Sequence, residues 1–328
     1  MILRLLLTLL LTFTFTAHAA TELDRPVLSK AQKNDIQIWL QLDYFSPTLD
    51  FVDYRGRTGS TSTLDRYSDA KLGFRYGIRD NLNIRYTVGF LQQHATRATE
   101  PRIVNSDAYK HDLKLQYQFY HGRDLHLAAE VGYRAHIARP VDFYAYQFGT
   151  NLVTWGGRPL VTLDAKDHAW IGAFRGALEL GDDWLLHAGV EVRRVTVSAL
   201  MTSQHALVQS LLAPTAPQST PWDETHALFQ IALDWQPLKP LSLSLDYTHY
   251  QISRSNYTPR SGKTDYTAQD QLDAYLSWHI DDHWSIYGHG RVYSHFVLGD
   301  VPMSYNQRVN HRFKDPFGFI SVGLNWSR

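Results

Sequence analysis

From Trp170 the chain alternates. Trp170, Gly172, Phe174, Gly176, Leu178 and Leu180 fall on one side, and Ile171, Ala173, Arg175, Ala177 and Glu179 on the other. After Gly181-Asp182-Asp183 the alternation restarts, with Trp184, Leu186, Ala188, Val190 and Val192 set against His187, Gly189, Glu191 and Arg193. A period of two means strands, and the short turn makes them an antiparallel hairpin. One face is wholly apolar and carries an aromatic beside the turn. The other mixes Gly, Ala, Arg and Glu, which suits the inside of a barrel whose apolar face meets lipid.

The same pattern recurs along the chain. Strands are predicted over 35–45, 67–78, 82–93, 107–120, 125–138, 223–235, 241–253, 266–280, 284–296 and 316–326, and with the two of the hairpin they number twelve. Outward apolar sets include Ile36, Ile38, Leu40, Leu42 and Tyr44, then Leu72, Phe74 and Tyr76, then Ile84, Tyr86, Val88 and Phe90. Five connections are about three to five residues long and built on Asp, Asn, Gly and Pro, as tight turns require. The other six, over 46–66, 95–106, 139–164, 199–222, 254–265 and 298–315, are longer. Short turns alternating with long loops, and an even strand count with both termini at the short-turn side, predict an all-β fold. It is a transmembrane antiparallel up-and-down β-barrel with short periplasmic turns and long extracellular loops. Loop 139–164 holds Tyr144, Tyr146, Phe148, Leu152, Val153 and Trp155 and is expected to fold onto or into the barrel mouth.

The N-terminus sets the compartment. Arg4, an apolar run from Leu5 to Phe15 and the small residues of Ala17-His18-Ala19 read as a cleaved signal peptide over 1–19. The apolar run is too short to span a bilayer, which takes about 20 residues. Residues 20–34 read as a polar periplasmic lead-in and 35–328 as the barrel, located in the cell outer membrane. Nine Trp and nineteen Tyr fit aromatic girdles at two membrane interfaces. Mean hydropathy is only −0.32, because alternation hides the lipid-facing half. Lys plus Arg equals Asp plus Glu, 32 each, so no basic field for nucleic acid is present. With no Cys, a disulfide framework, a thiol nucleophile and a Cys-ligated metal are excluded. No Gly-rich phosphate loop or HExxH occurs, the sixteen His are scattered, and no metal or cofactor is expected.

On the face opposite lipid the alternation places Asp43, Asp69, Lys71, Arg75, Arg85, Asp112, Lys114, Glu130, Arg134, Arg175, Glu179, Glu191, Arg193, Asp234, Asp246, Asp273 and Arg291. Nine are acidic and eight basic, interleaved from strand to strand, which suits an interior that pairs its charges better than a strongly selective pore. Basic residues concentrate on the strands from 67 to 197, while Asp234, Asp246 and Asp273 dominate the later ones. That asymmetry predicts a transverse field across the bore. An alternative reading is a hydrolase at the extracellular rim, where Asp223, Glu224 and His226 open one strand and His249 ends its neighbour. This resembles in outline the rim sites of omptin-type proteases, without their set of Asp pairs. Outer-membrane phospholipase A has a His followed two residues later by Ser, and here Gln251 stands at that position after His249.

The last segment, Ser321-Val322-Gly323-Leu324-Asn325-Trp326-Ser327-Arg328, looks like the final-strand signal read by the barrel-assembly machinery, although it ends in Arg two residues past the aromatic. With the leader and twelve strands, the chain resembles Gram-negative outer-membrane barrels over its mature length. In strand count and size it also looks like a solitary autotransporter translocator barrel. Those barrels thread a helix through the pore, for which 20–34 is a poor candidate. The resemblance implies a non-enzymatic narrow channel or surface protein, with outer-membrane lipid, lipopolysaccharide and the assembly machinery as partners and no nucleic acid.

Overall fold

The computed structural model describes residues 25, 27–28, 32–45, 62–97, 100–148, 151–212, 221–255, 267–294 and 317–328. The leader over 1–19 lies outside them. Twelve long strands form the wall: β1 (Ile36–Phe45), β2 (Ser62–Arg79), β3 (Leu82–Arg97), β4 (Glu100–His121), β5 (Leu125–Ala138), β9 (Val161–Glu179), β10 (Trp184–Thr202), β11 (Trp222–Leu238), β12 (Leu241–Ser255), β13 (Ala268–His279), β14 (Trp284–Tyr293) and β15 (Phe317–Ser327). Every neighbour pairs antiparallel in chain order, and β15 pairs with β1 to close the sheet on itself. Closure removes the free edges that lipid could not satisfy. The last residue takes part, since Arg328 and Ile36 exchange backbone hydrogen bonds of 2.8 Å in both directions.

Alternation sorts the side chains as expected. Trp170 is 67 % exposed and Phe174 62 %, on the outside, whereas Arg175 is 3 % exposed on the inside. On β10, Trp184 and Arg194 stand ten residues apart, and Arg194 lies in register with Trp170. At about 3.3 Å per residue and a tilt of about 40°, this spans about 25 Å of height, the thickness of a barrel's apolar band. The outward Arg194 marks the level where that band ends. At the short-turn end Trp184 and Trp235 stack with centroids 5.1 Å apart, and Trp278 and Trp284 are exposed on the same girdle.

Above the band the structure departs from expectation. The predicted loop 95–106 is mostly strand: β3 and β4 continue as a hairpin with Ala95 opposite Val104 and Arg97 opposite Glu100. The sequence here carries no period-two signature, yet the backbone ladder extends through it. Within 139–164 three short strands form, β6 (Val141–Phe143), β7 (Ala145–Phe148) and β8 (Asn151–Thr154). The first pairs with β9 and the other two with each other, while Phe143 and Leu160 are fully buried. The predicted loop 199–222 carries the last residues of β10 and a short helix, α1 (Ala206–Leu212), which buries Val208.

Of the chain before β1, Arg25, Val27 and Leu28 lie within the barrel. All three are at most 2 % exposed. The chain then leaves along the wall, where Lys33 N–H donates to Asp80 at 3.0 Å and Asn34 takes a left-handed φ of 70° that Asn tolerates. Gly77 is obligatory at this crossing, because a Cβ there would lie 1.8 Å from the Gln32 carbonyl oxygen.

Candidate functional site

The lumen has three levels, readable along β12. Ser242 lines a cavity of about 550 Å³ at the short-turn end, together with Gln32, Arg75, Glu179 and His279. Thr248 and Tyr250 line a second cavity of about 120 Å³ on the long-loop side, beside Lys71, Arg134 and Arg175. Between them Ser244 and Asp246 hold Arg25. The guanidinium of Arg25 donates to Asp234 and Asp246, both at 2.6 Å from Nη2, while Nε reaches Asp246 at 3.0 Å and Nη1 reaches Ser244 at 3.2 Å. It lies over the Tyr275 ring, 5.2 Å from the centroid. The segment then crosses the bore: Arg85 donates to the Arg25 carbonyl at 2.9 Å, Gln116 to the Val27 carbonyl at 3.3 Å, and Leu28 packs on Ala128, Ala177 and Leu185.

This changes the electrostatics expected from the wall alone. The three acidic residues of the later strands were expected to face a basic half across open space. Instead Arg25 sits against two of them, and Arg291 and His289 bond Asp273. Elsewhere charges pair in place. Glu191 bonds both Arg175 and Arg193, Glu130 lies 3.4 Å from Arg175 and 3.8 Å from Lys114, Lys71 meets Asp43 at 2.8 Å, and Lys110 meets Asp69 at 2.9 Å. Buried charges are tolerated only when paired and hydrogen-bonded. Of the charges assigned to the lumen from alternation, Arg75 lines the lower cavity with Glu179, and Arg85 lies 4.0 Å from Glu130 in the middle layer.

Aromatic residues also fill the bore, which alternation alone did not reveal. Trp39, Tyr275 and Tyr287 form a buried cluster. The signal for them is an inward glycine opposite: a Cβ at Gly73 would fall 1.9 Å from the Trp39 indole, and one at Gly323 2.1 Å from the Tyr287 ring.

The rim set is not one site. Glu224 and His226 face inward and are buried, with His226 Nε2 2.7 Å from Glu224, whose other oxygen accepts from Trp222 and Arg254. His249 and Asp223 alternate to the outer face, where His249 bonds Asp270 at 2.8 Å and Asp223 accepts from Thr196 at 2.7 Å. The wall of the barrel separates the two pairs, and the Glu224 carboxylate is already committed to three donors. The four residues therefore cannot act on one substrate.

No family model matches the chain, and no curated protein matches it. Solved structures do. The translocator domain of the autotransporter NalP from Neisseria meningitidis aligns over 90 % of this chain and 88 % of that one, with a TM-score of 0.52 and 8 % identity. The β domain of the Bordetella autotransporter BrkA covers 90 % and 100 %, with a TM-score of 0.51 and 9 % identity. The chain has the fold of outer-membrane β-barrels. A KdgM porin in complex with disordered oligogalacturonate also aligns, over 90 % of this chain and 99 % of that one, at a TM-score of 0.41 and 8 % identity. The lumen runs between the short-turn end and the long-loop end of this barrel.

Proposed function

We propose that this chain is a non-enzymatic channel of the outer membrane, narrow and closed at its waist by its own N-terminal segment. One observation carries the reading. Polar cavities enter from both ends, and the layer between them is made by Arg25, Val27 and Leu28 together with the wall. A purely structural barrel needs no such removable layer. Cleavage before Ala20 would leave Arg25 close to the new N-terminus, so its covalent connection to the wall would run only through β1, and ion pairs and hydrogen bonds would hold it in the bore. The C-terminal strand would be read by the barrel-assembly machinery, and lipopolysaccharide would surround the extracellular half of the girdle.

The test is single-channel recording of the refolded mature protein in planar bilayers, with heat-modifiable migration confirming the fold. The wild type should be silent or pass rare small steps. Arg25→Ala, which removes the cation between Asp234 and Asp246, should give frequent larger steps that favour cations. A folded Arg25→Ala barrel that stays silent would overturn the channel reading.

A further inference from the structure

The extracellular cavity presents an unusual lining. Seven of its side chains are Lys or Arg, contributed by β2, β4, β5, β9, β10 and β14, and its one carboxylate is Asp112. Six of the seven cations meet carboxylates in the pairs described above, and the five carboxylates of those pairs, Glu191 serving two cations, do not line the space. The seventh is Arg134. It is 7 % exposed, and among the described residues its Nε and Nη2 have no hydrogen-bond partner. Arg175 and Gln230 line the same cavity, and Nε of the one and Nε2 of the other are also buried donors without an acceptor among the described residues. Arg134 lies in register with Asp112, whose carboxylate instead approaches Lys114 at 3.9 Å.

A guanidinium so placed is costly unless something accepts from it. Among the described residues Arg134 is the one lining lysine or arginine with no carboxylate within 4.0 Å. A volume of about 120 Å³ exceeds the roughly 10–15 Å³ a single water needs. We propose that this cavity is a binding site for a small oxyanion solute, a phosphate or a carboxylate, with Arg134 as its principal ligand and Arg175 and Gln230 as further donors. Planar N–H pairs of Arg match oxyanion geometry, and charge-assisted bonds in a secluded site are strong. The inference rests on the channel reading in one respect: it names the class of solute that enters the lumen from outside.

Binding is measured without current, so the two readings fail separately. Isothermal titration calorimetry of the refolded wild type in detergent, with inorganic phosphate and with succinate as probes against a chloride background, should show saturable binding of at least one probe at one site per barrel. Arg134→Gln should weaken it about tenfold or more, the loss of a charge-assisted contact. Arg139→Gln, an exposed arginine bonded to Asp107 and Tyr109, should leave it unchanged. Arg134→Gln relieves an unpaired charge and should fold, which gel migration verifies. No saturable binding of either probe, or equal loss in both variants, would overturn the site. Binding by a barrel that stays electrically silent as Arg25→Ala would keep the site and discard the channel.

Discussion

At the residue scale the interior is governed by what each charge meets. Glu191 is 1 % exposed and serves two guanidiniums, those of Arg175 and Arg193. Replacing it with Gln keeps the shape and leaves two buried cations short of a partner, which costs about 3–5 kcal/mol. Urea unfolding of the barrel in lipid vesicles, followed by tryptophan emission, measures this. An exposed pair sets the scale: Arg123 and Asp124 are 3.9 Å apart with side chains 95 % and 63 % exposed. There Asp124→Asn should cost less than about 1 kcal/mol. Similar losses at both positions would mean that the lumen is wet enough to solvate its charges. Alternation made Glu191, Arg175 and Arg193 legible because inward charges on a barrel strand stand out. Arg25 was not legible, since its segment has no period.

At the element scale, strands within the bilayer were legible and their extensions were not. Inside the apolar band lipid enforces the period, so β5 runs over Leu125–Ala138, the same bounds as predicted. Beyond it, at Ala95 to Arg97 and Glu100 to Val104, the period lapses in the sequence while backbone pairing continues. The turns were legible for a different reason, their side chains. Asp281 accepts from the N–H of His283 at 2.8 Å and of Trp284 at 2.7 Å, closing the β13–β14 turn. These two bonds hold its carboxyl below the usual range. A carboxyl that is a stronger acid when folded stabilises fully above the ordinary Asp pKa of about 3.9, and the contribution fades as the pH falls through the folded value. Asp281→Ala should therefore be less stable than wild type at neutral pH, with the gap narrowing under acid. Paired urea titrations across that range check it, and a gap that does not change with pH would show that the turn does not depend on the ionised carboxylate.

At the scale of the whole molecule, two solvents divide the outer surface. The level of Trp170 and Arg194 should be where lipid gives way to water, because the charge of Arg194 is acceptable only at that boundary. Phe174 is 62 % exposed and lies opposite Val190, inside the band, six residues from Trp184 along β10. Leu200 is 38 % exposed on the same outer face but sixteen residues from Trp184, about 15 Å above the band by the same rise and tilt. Hydropathy does not distinguish the two positions, whereas depth does. Arg at Phe174 should cost about 2–4 kcal/mol in lipid vesicles, the penalty of a charge near the midplane. Arg at Leu200 should cost nearly nothing. In detergent micelles, which adapt around a charge, the Phe174→Arg penalty should shrink and the Leu200→Arg value should stay where it was. Equal costs at the two sites in vesicles would move the outer boundary above Leu200, and the extended β9 and β10 strands would then be membrane-embedded along their full length.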